Sequence, residues 1–356
     1  MESRTFLAAA NYKGRPRRGG RNYLEAKEAG ADRLIGGKAA QKLGGPMKLA
    51  VVGVGGNAIA PPSGPLTWTG QLGVVRSLVP PVRALRERGY RLVVTHGNGP
   101  QVGALLSQQE IAAVEVPPYP LDVLVAQSQA QIGYALQTVL LEALNAGEGE
   151  TPVTLVTMVA VDPNDPEFQT PSKPIGPLLP ESRARELERS GATMAEDPRG
   201  GFRRLVPSPW PLGVVGASQI LDILNEASPV VIAGGGGGVP VVREGAAVRG
   251  IEAVVDKDLT SSLLARELDA ELLLLLTDVP HVSRDFGTEE EQPIDELTAE
   301  EAEELLLAGE FPPGTMGPKV RGAVDFLKGG GRLAVIVDLE GATRALDGGA
   351  GTRIVP

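Results

Sequence analysis

The sequence contains no cysteine and only two histidines, His96 and His281. The first absence excludes disulfides, zinc ribbons, iron–sulfur clusters and thiolate catalysis. The scarcity of histidine excludes a multi-histidine metal site. No uninterrupted apolar run is long enough to span a membrane. Excess positive charge is missing too: 34 Lys and Arg against 44 Asp and Glu give a net charge of −10. That balance argues against nucleic acid or anionic lipid as the main partner. There remains a 356-residue chain, 42% hydrophobic, long enough for one large α/β domain or two ordinary ones. It is expected to be soluble and cytoplasmic.

The charge is unevenly spread. Residues 1–46 carry ten basic and four acidic residues, with Arg15, Arg17, Arg18 and Arg21 set among glycines. A disordered basic tail and a targeting segment are alternatives for this stretch, and the lack of an apolar core disfavours a secretory signal. The favoured expectation is that the natural start is Met47, directly before Lys48-Leu-Ala-Val-Val-Gly-Val, a clean first strand.

From Met47 onward, short apolar runs alternate with helix-length segments. Leu49–Val54, Arg91–Thr95, Val153–Val159, Val230–Ala233, Leu272–Thr277 and Leu333–Val337 read as buried parallel strands. Val123–Leu144, Ser218–Asn225, Leu259–Glu267 and Thr298–Ala308 read as helices. Thr298 before Glu300 and Glu301 is an N-cap with acids in the first turn. Pro80-Pro81 predicts a break in the first crossover helix. This alternation predicts a doubly wound α/β sheet with right-handed crossovers. Residues 162–211 depart from the rhythm, holding ten of the thirty prolines. They read as an ordered, inserted subdomain, turn-like apart from a short helix over Ser182–Ser190.

Three glycine-rich loops follow predicted strands: Gly53-Val-Gly55-Gly56-Asn57, Gly97-Asn98-Gly99, and Gly234 to Gly238. Loops at strand ends converge on the carboxyl edge of such a sheet, where ligands bind. Their backbone N–H groups can approach an anion closely. Known signatures fit poorly: the first loop lacks the acidic residue that would hold a ribose, and no Walker motif occurs.

Lysine is the remaining scarcity. From Met47 onward 24 residues are basic, and only Lys48, Lys173, Lys257, Lys319 and Lys328 are lysines. Where arginine serves everywhere else, a retained lysine points to a site needing a compact ammonium. Lys173 lies in the inserted region, Lys257 stands between Asp256 and Asp258, and Lys319 follows Gly317-Pro318 in a predicted loop. Lys48 and Lys328 read as solvated. Lysines, glycine amides and aspartates without a nucleophile–histidine pair suit phosphoryl transfer, which needs positioning and charge neutralisation more than covalent help.

At this point the motifs resemble those of the carbamate kinases, in the amino-acid-kinase superfamily. The matching segments include Gly55-Gly-Asn-Ala58, Thr95-His-Gly-Asn-Gly-Pro-Gln-Val-Gly103, Ser128-Gln129, Val161-Asp-Pro-Asn-Asp-Pro166 and Lys173-Pro-Ile-Gly176. They continue through Gly235–Gly238, Val255-Asp-Lys-Asp-Leu259, Thr277-Asp-Val279 and Gly314-Thr-Met-Gly-Pro-Lys319. The resemblance implies a three-layer α/β/α sandwich with a mainly parallel central sheet, a small protruding subdomain, and a homodimer. It implies reversible transfer between ATP plus carbamate and ADP plus carbamoyl phosphate, with Mg²⁺ accompanying the nucleotide. Residues 47–245 would bind the acceptor and residues 246–356 the nucleotide. Lys257 and Lys319 would neutralise the transferring group, Asp258 would orient them, and Lys173 would close over the acceptor. Gly55, Gly56, Asn57, Gly97, Asn98, Gly99, Gly236 and Gly237 would line the acceptor side. Thr277, Asp278, Val279, Met316, Gly317 and Pro318 would line the nucleotide side. The chain departs from the family at Pro280-His281-Val-Ser283, where Asp-Gly-Val-Tyr is usual, and Phe286 is the nearest replacement for the missing aromatic. A kinase of another small acid or phosphonate and a catalytically silent nucleotide sensor are the alternatives.

Overall fold

Strand β1 (Leu49–Val54) is buried at all six positions, as a strand covered on both faces must be. It heads a computed structural model that describes residues 47–55, 59, 66–144, 151–197, 200–245, 247–312 and 314–356. The expectations for residues 1–46, Gly56 and Asn57 lie outside these. Helices α1 (Trp68–Val75) and α2 (Val79–Glu87) follow, separated by one 3-10 turn, and the prolines fall in the first turn of α2. The helix is interrupted just ahead of Pro80-Pro81, because a proline ring crowds the turn before it. Next come β2 (Arg91–His96), α3 (Gly99–Ala112) and the long α4 (Leu121–Leu144).

The sequence predicts one strand over Val153–Val159. The structure has two, β3 (Val153–Thr154) and β4 (Met158–Val161), in different sheets. Gln129 of α4 meets the chain at the split. Its amide accepts from Thr157 N at 2.8 Å and donates to Thr157 O at 3.0 Å, so the Thr157 N–H goes to a side chain, while Thr157 O also accepts from Val239 N at 2.8 Å.

The described residues of the proline-rich insertion are ordered, but they are not turn-like. β5 (Lys173–Leu179), α5 (Glu181–Arg189), β6 (Thr193–Glu196) and β7 (Phe202–Val206) build a three-stranded antiparallel sheet in the order β5-β7-β6. Pro174 and Pro177 are tolerated because β5 is an edge strand, where a missing N–H costs little. The chain then runs through β8 (Pro211–Val214), α6 (Ala217–Glu226), β9 (Val230–Ile232) and the hairpin β10 (Val239–Glu244) with β11 (Ala247–Gly250). After α7 (Lys257–Glu267) come β12 (Leu272–Thr277), β13 (Val282–Arg284), β14 (Gln292–Ile294) and β15 (Glu296–Thr298). Helix α8 (Ala299–Ala308) carries a full capping box between Thr298 and Glu301. The last elements are α9 (Met316–Lys328), β16 (Leu333–Asp338), α10 (Ala342–Ala345) and β17 (Thr352–Val355).

The main sheet has the order β15-β17-β16-β12-β1-β2-β9-β3, and only β16 and β17 run antiparallel. Side chains alternate across it. Leu49, Val51, Leu273 and Leu275 face a core shared with α6, α7, α8 and α9. Ala50, Val52, Val54, Leu274 and Leu276 face a second core shared with α1, α2, α4 and α10. Two apolar layers on one sheet make a three-layer α/β/α sandwich. Each large side chain fully buried there contributes about 1.5–3 kcal/mol.

The three-stranded sheet docks on α3 and α4 rather than on the main sheet. Ile175 and Val206 pack with Val102, Leu124 and Val254. The approach is close: a Cβ on Gly103 would lie 1.9 Å from Gly176 Cα, so α3 has no room for a side chain there, while Gly176 itself has φ +77°, a conformation that favours glycine.

Candidate active site

Parallel pairing sets Val54 of β1 beside His96 of β2 and Leu276 of β12. The Gly55 and Gly97 loops therefore leave the sheet at adjacent points, and β9, next to β2, delivers the third glycine loop to the same edge. Asn98 is buried between α4 and that third loop. Its amide donates to Ser128 Oγ at 2.9 Å, and a Cβ on Gly236 would strike the same amide at 2.2 Å. Gly237 has φ +84°, and a Cβ there would lie 2.2 Å from Val255 O; only glycine meets both demands.

The lysines are organised by the start of α7. Asp256 is the N-cap, and its Oδ1 accepts from Asp258 N at 2.8 Å. Capping fixes the direction of the first turn, which carries Lys257 and Asp258. Asp258 is 3% exposed, and both its oxygens accept from lysines: Oδ1 from Lys257 Nζ at 2.6 Å and Oδ2 from Lys319 Nζ at 3.1 Å. Lys319 also donates to Thr315 O at 3.3 Å. Lys173, the first residue of β5, donates to Asp256 Oδ2 at 2.9 Å. Lys48 and Lys328 lie elsewhere; the first sits over the Tyr90 ring and the second pairs with Glu303.

The sequence predicts a loop at Gly317-Pro318-Lys319. The structure instead places these residues in the first turn of α9. Proline is tolerated there because first-turn N–H groups have no partner within the helix.

The charges are strongly coupled. Burial would push the Asp256 carboxyl up, but the Lys173 and Lys257 ammoniums and two hydrogen bonds outweigh it and hold it well below the usual range. Burial lowers the Lys257 ammonium; Asp258 opposes that effect and Lys319 adds to it. For Lys319 burial is outweighed by Asp258 and Asp256, and the net direction is upward. A site poised this way keeps positive charge available inside low-dielectric surroundings.

Lys257 and Lys319 stand on the wall of a cavity of about 400 Å³. Gly55, Thr277, Asp278, Val279 and Met316 share that wall, as predicted members of the site. Gly97, Asn98, Gly99, Gly236, Gly237, Gly317, Pro318, Asp258 and Lys173 do not border it, although Asp258 holds both lysines that do. Ser283, Phe286, Phe311, Pro312, Gly314 and Thr315 complete the lining. Of these, Phe311 and Pro312 escape the sequence reading. Their only signal is a Phe-Pro-Pro-Gly-Thr loop directly before the Lys319 motif. Among the described residues, no group of three or more His, Asp or Glu side chains is placed to hold a metal ion, and no helix is long and apolar enough to cross a membrane.

A model of the amino acid kinase family matches residues 48–338. A carbamate kinase of Halobacterium salinarum is 47% identical over 311 residues, covering 87% of this chain and 99% of the relative. One from Pyrococcus furiosus is 42% identical over 313 residues, covering 87% and 99%. Among solved structures, a protein of Aeropyrum pernix matches with a TM-score of 0.80 at 44% identity, covering 86% of this chain and 99% of that one. Carbamate kinase of Giardia lamblia bound to AMP-PNP matches with a TM-score of 0.78 at 36% identity, covering 87% and 98%. The glycine loops at one sheet edge, the lysines gathered on Asp258 and these full-length matches agree: the chain belongs to the amino acid kinase family, in its carbamate kinase group.

Proposed function

We infer that this chain catalyses reversible phosphoryl transfer between carbamoyl phosphate and ADP, yielding carbamate and ATP. The observation that carries this reading is Asp258 holding two buried ammoniums, Lys257 and Lys319, on the wall of one cavity.

In the direction of ATP formation, a β-phosphate oxygen of ADP attacks the phosphorus. The P–O bond to the carbamoyl group breaks, and carbamate leaves as an anion. No proton has to move, which suits a site without a general base; His96 is buried and its ring Nδ1 is engaged with Gly97 O. Negative charge spreads over the phosphoryl oxygens during transfer, and Lys257 and Lys319 are preorganised to meet it. Asp258 keeps the two like charges together and aimed, so its role is orientation.

The nucleotide would enter the cavity with its phosphates toward Lys257 and Lys319. Phe286, Phe311 and Val279 offer apolar surface for a base, in place of the aromatic missing at Ser283. Mg²⁺ would be held mostly by phosphates and water. That fits the donor set: both oxygens of Asp258 are engaged by lysines, and Asp278 is the carboxylate on the cavity wall. When bound, the ion would neutralise phosphate charge. Residues 47–245 would contribute the acceptor side and residues 246–356 the nucleotide side. A homodimer in the cytoplasm completes the reading.

The test is ATP formation from Mg-ADP with carbamoyl phosphate, beside acetyl phosphate as a competing donor, and ADP release from Mg-ATP with a phosphonate as a competing acceptor. Preference for carbamoyl phosphate is expected. Equal or better use of another acyl phosphate would favour the kinase of a different small acid, and no transfer at all would favour a silent sensor.

A further inference from the structure

We propose that Asp256 is the positioning residue that registers the inserted three-stranded sheet over the phosphoryl site, engaging Lys173 with one carboxylate oxygen while it caps α7 with the other. The proposal rests on the phosphoryl-transfer reading of the site.

The two oxygens of Asp256 have different partners. Oδ1 accepts the Asp258 N–H at 2.8 Å, and Oδ2 accepts the Lys173 ammonium at 2.9 Å across 83 residues of sequence. The pair is only partly exposed, with side-chain exposures of 23% and 21%, so solvent screens it less than a surface ion pair. A second tie lies two residues earlier. Val254 N donates to Pro207 O at 2.9 Å, and Val254 packs with Ile175 and Val206 of the inserted sheet. The segment entering α7 is therefore bound to that sheet by backbone, apolar packing and charge within three residues.

The Lys173 backbone is itself fixed by pairing with Val206. The carboxylate of Asp256 thus decides where the ammonium rests. An ammonium has three donors; one goes to Asp256, and an incoming acyl phosphate can take another without breaking the pair. Lys173, Lys257 and Lys319 are thus drawn together by Asp256 and Asp258, with Asp278 on the cavity wall as a third carboxylate near Lys319. Capping alone does not require a carboxylate, because asparagine and serine cap helices as well as aspartate does. A charged residue at this position is explained by Lys173.

Asp256→Asn separates the two roles, since the amide oxygen still caps α7 but the charge is gone. The melting temperature should stay within about 2 °C of the parent, and the KM for carbamoyl phosphate should rise about tenfold or more, with the KM for ADP within twofold. In a Lys173→Met background the same substitution should change the acceptor KM less than twofold. Amide exchange across Lys173–Leu179 should quicken several-fold while that of Lys257–Glu267 holds. An unchanged acceptor KM, a full additional loss in the Lys173→Met background, or equal quickening in α7 would each overturn the proposal. A parent chain that forms no ATP would remove the phosphoryl-transfer reading instead, and the exchange measurement would still decide the Asp256–Lys173 contact.

Discussion

The Lys319 ammonium lies 3.1 Å from Asp258 Oδ2, joining the first turn of α9 to the first turn of α7. Both groups are buried, and the other oxygen of Asp258 is held by Lys257. Removing Asp258 takes away the carboxylate that both ammoniums share and leaves them facing each other, with Asp256 as the nearest opposing charge. Asp258→Ala is expected to destabilise the chain by about 3–5 kcal/mol and to abolish most turnover. Lys257→Ala leaves the Asp258–Lys319 pair intact and should cost clearly less stability. Urea denaturation of the two variants checks the order, and equal losses would mean that Asp258 does not organise the lysines.

The inserted sheet should also be sensitive where its backbone meets α3. Gly103→Ala places a methyl 1.9 Å from Gly176 Cα, so α3 and β5 must separate. A strain cost of about 1–3 kcal/mol is expected. The same shift moves Lys173 relative to Asp256, so the KM for carbamoyl phosphate should rise while calorimetric ADP affinity holds. Unchanged acceptor kinetics would show that the sheet tolerates displacement without consequence for the site.

Much of the architecture is legible from residue order alone. β1 and β12 stand out because strands buried on both faces must be apolar at every position, and Thr298 with Glu301 marks the start of α8. The misread segments depend on partners far away in sequence. Val153–Val159 splits at Thr157, whose backbone N–H is taken by Gln129. The strands of the insertion are obscured by prolines that only an edge position permits. Gly317-Pro318 suggests a loop but opens a helix, since both residues fit a first turn. At the site, Asp-Lys-Asp announces a paired lysine. It does not reveal that Asp256 takes Lys173 while Asp258 takes Lys257 and Lys319, because two of those partners come from other elements.

His96 gives the fold a pH dependence of definite sign. Burial pushes its imidazole down to about 4, with Gly97 O as the opposing influence, while in the unfolded chain it titrates near 6.5. Between those values the unfolded state binds more protons, so stability rises with pH. The contribution is complete above about pH 6.5 and is lost as pH falls toward 4, by about 3 kcal/mol. The melting temperature should drop by several degrees over that window, and the drop should be smaller in His96→Gln. Identical pH profiles for parent and variant would assign the acid sensitivity to other groups.

The central claim is that Lys257 supplies a compact charge to a transferring phosphoryl group. Turnover of Lys257→Ala and Lys257→Arg with Mg-ADP and carbamoyl phosphate tests it most directly. Loss of a preorganised charge costs about 2.7–4 kcal/mol in the barrier, or roughly 10²–10³ in kcat. The arginine variant should fail nearly as badly, because a planar guanidinium cannot replace an ammonium held at 2.6 Å from Asp258 Oδ1. Near-parental turnover in Lys257→Arg would contradict the account.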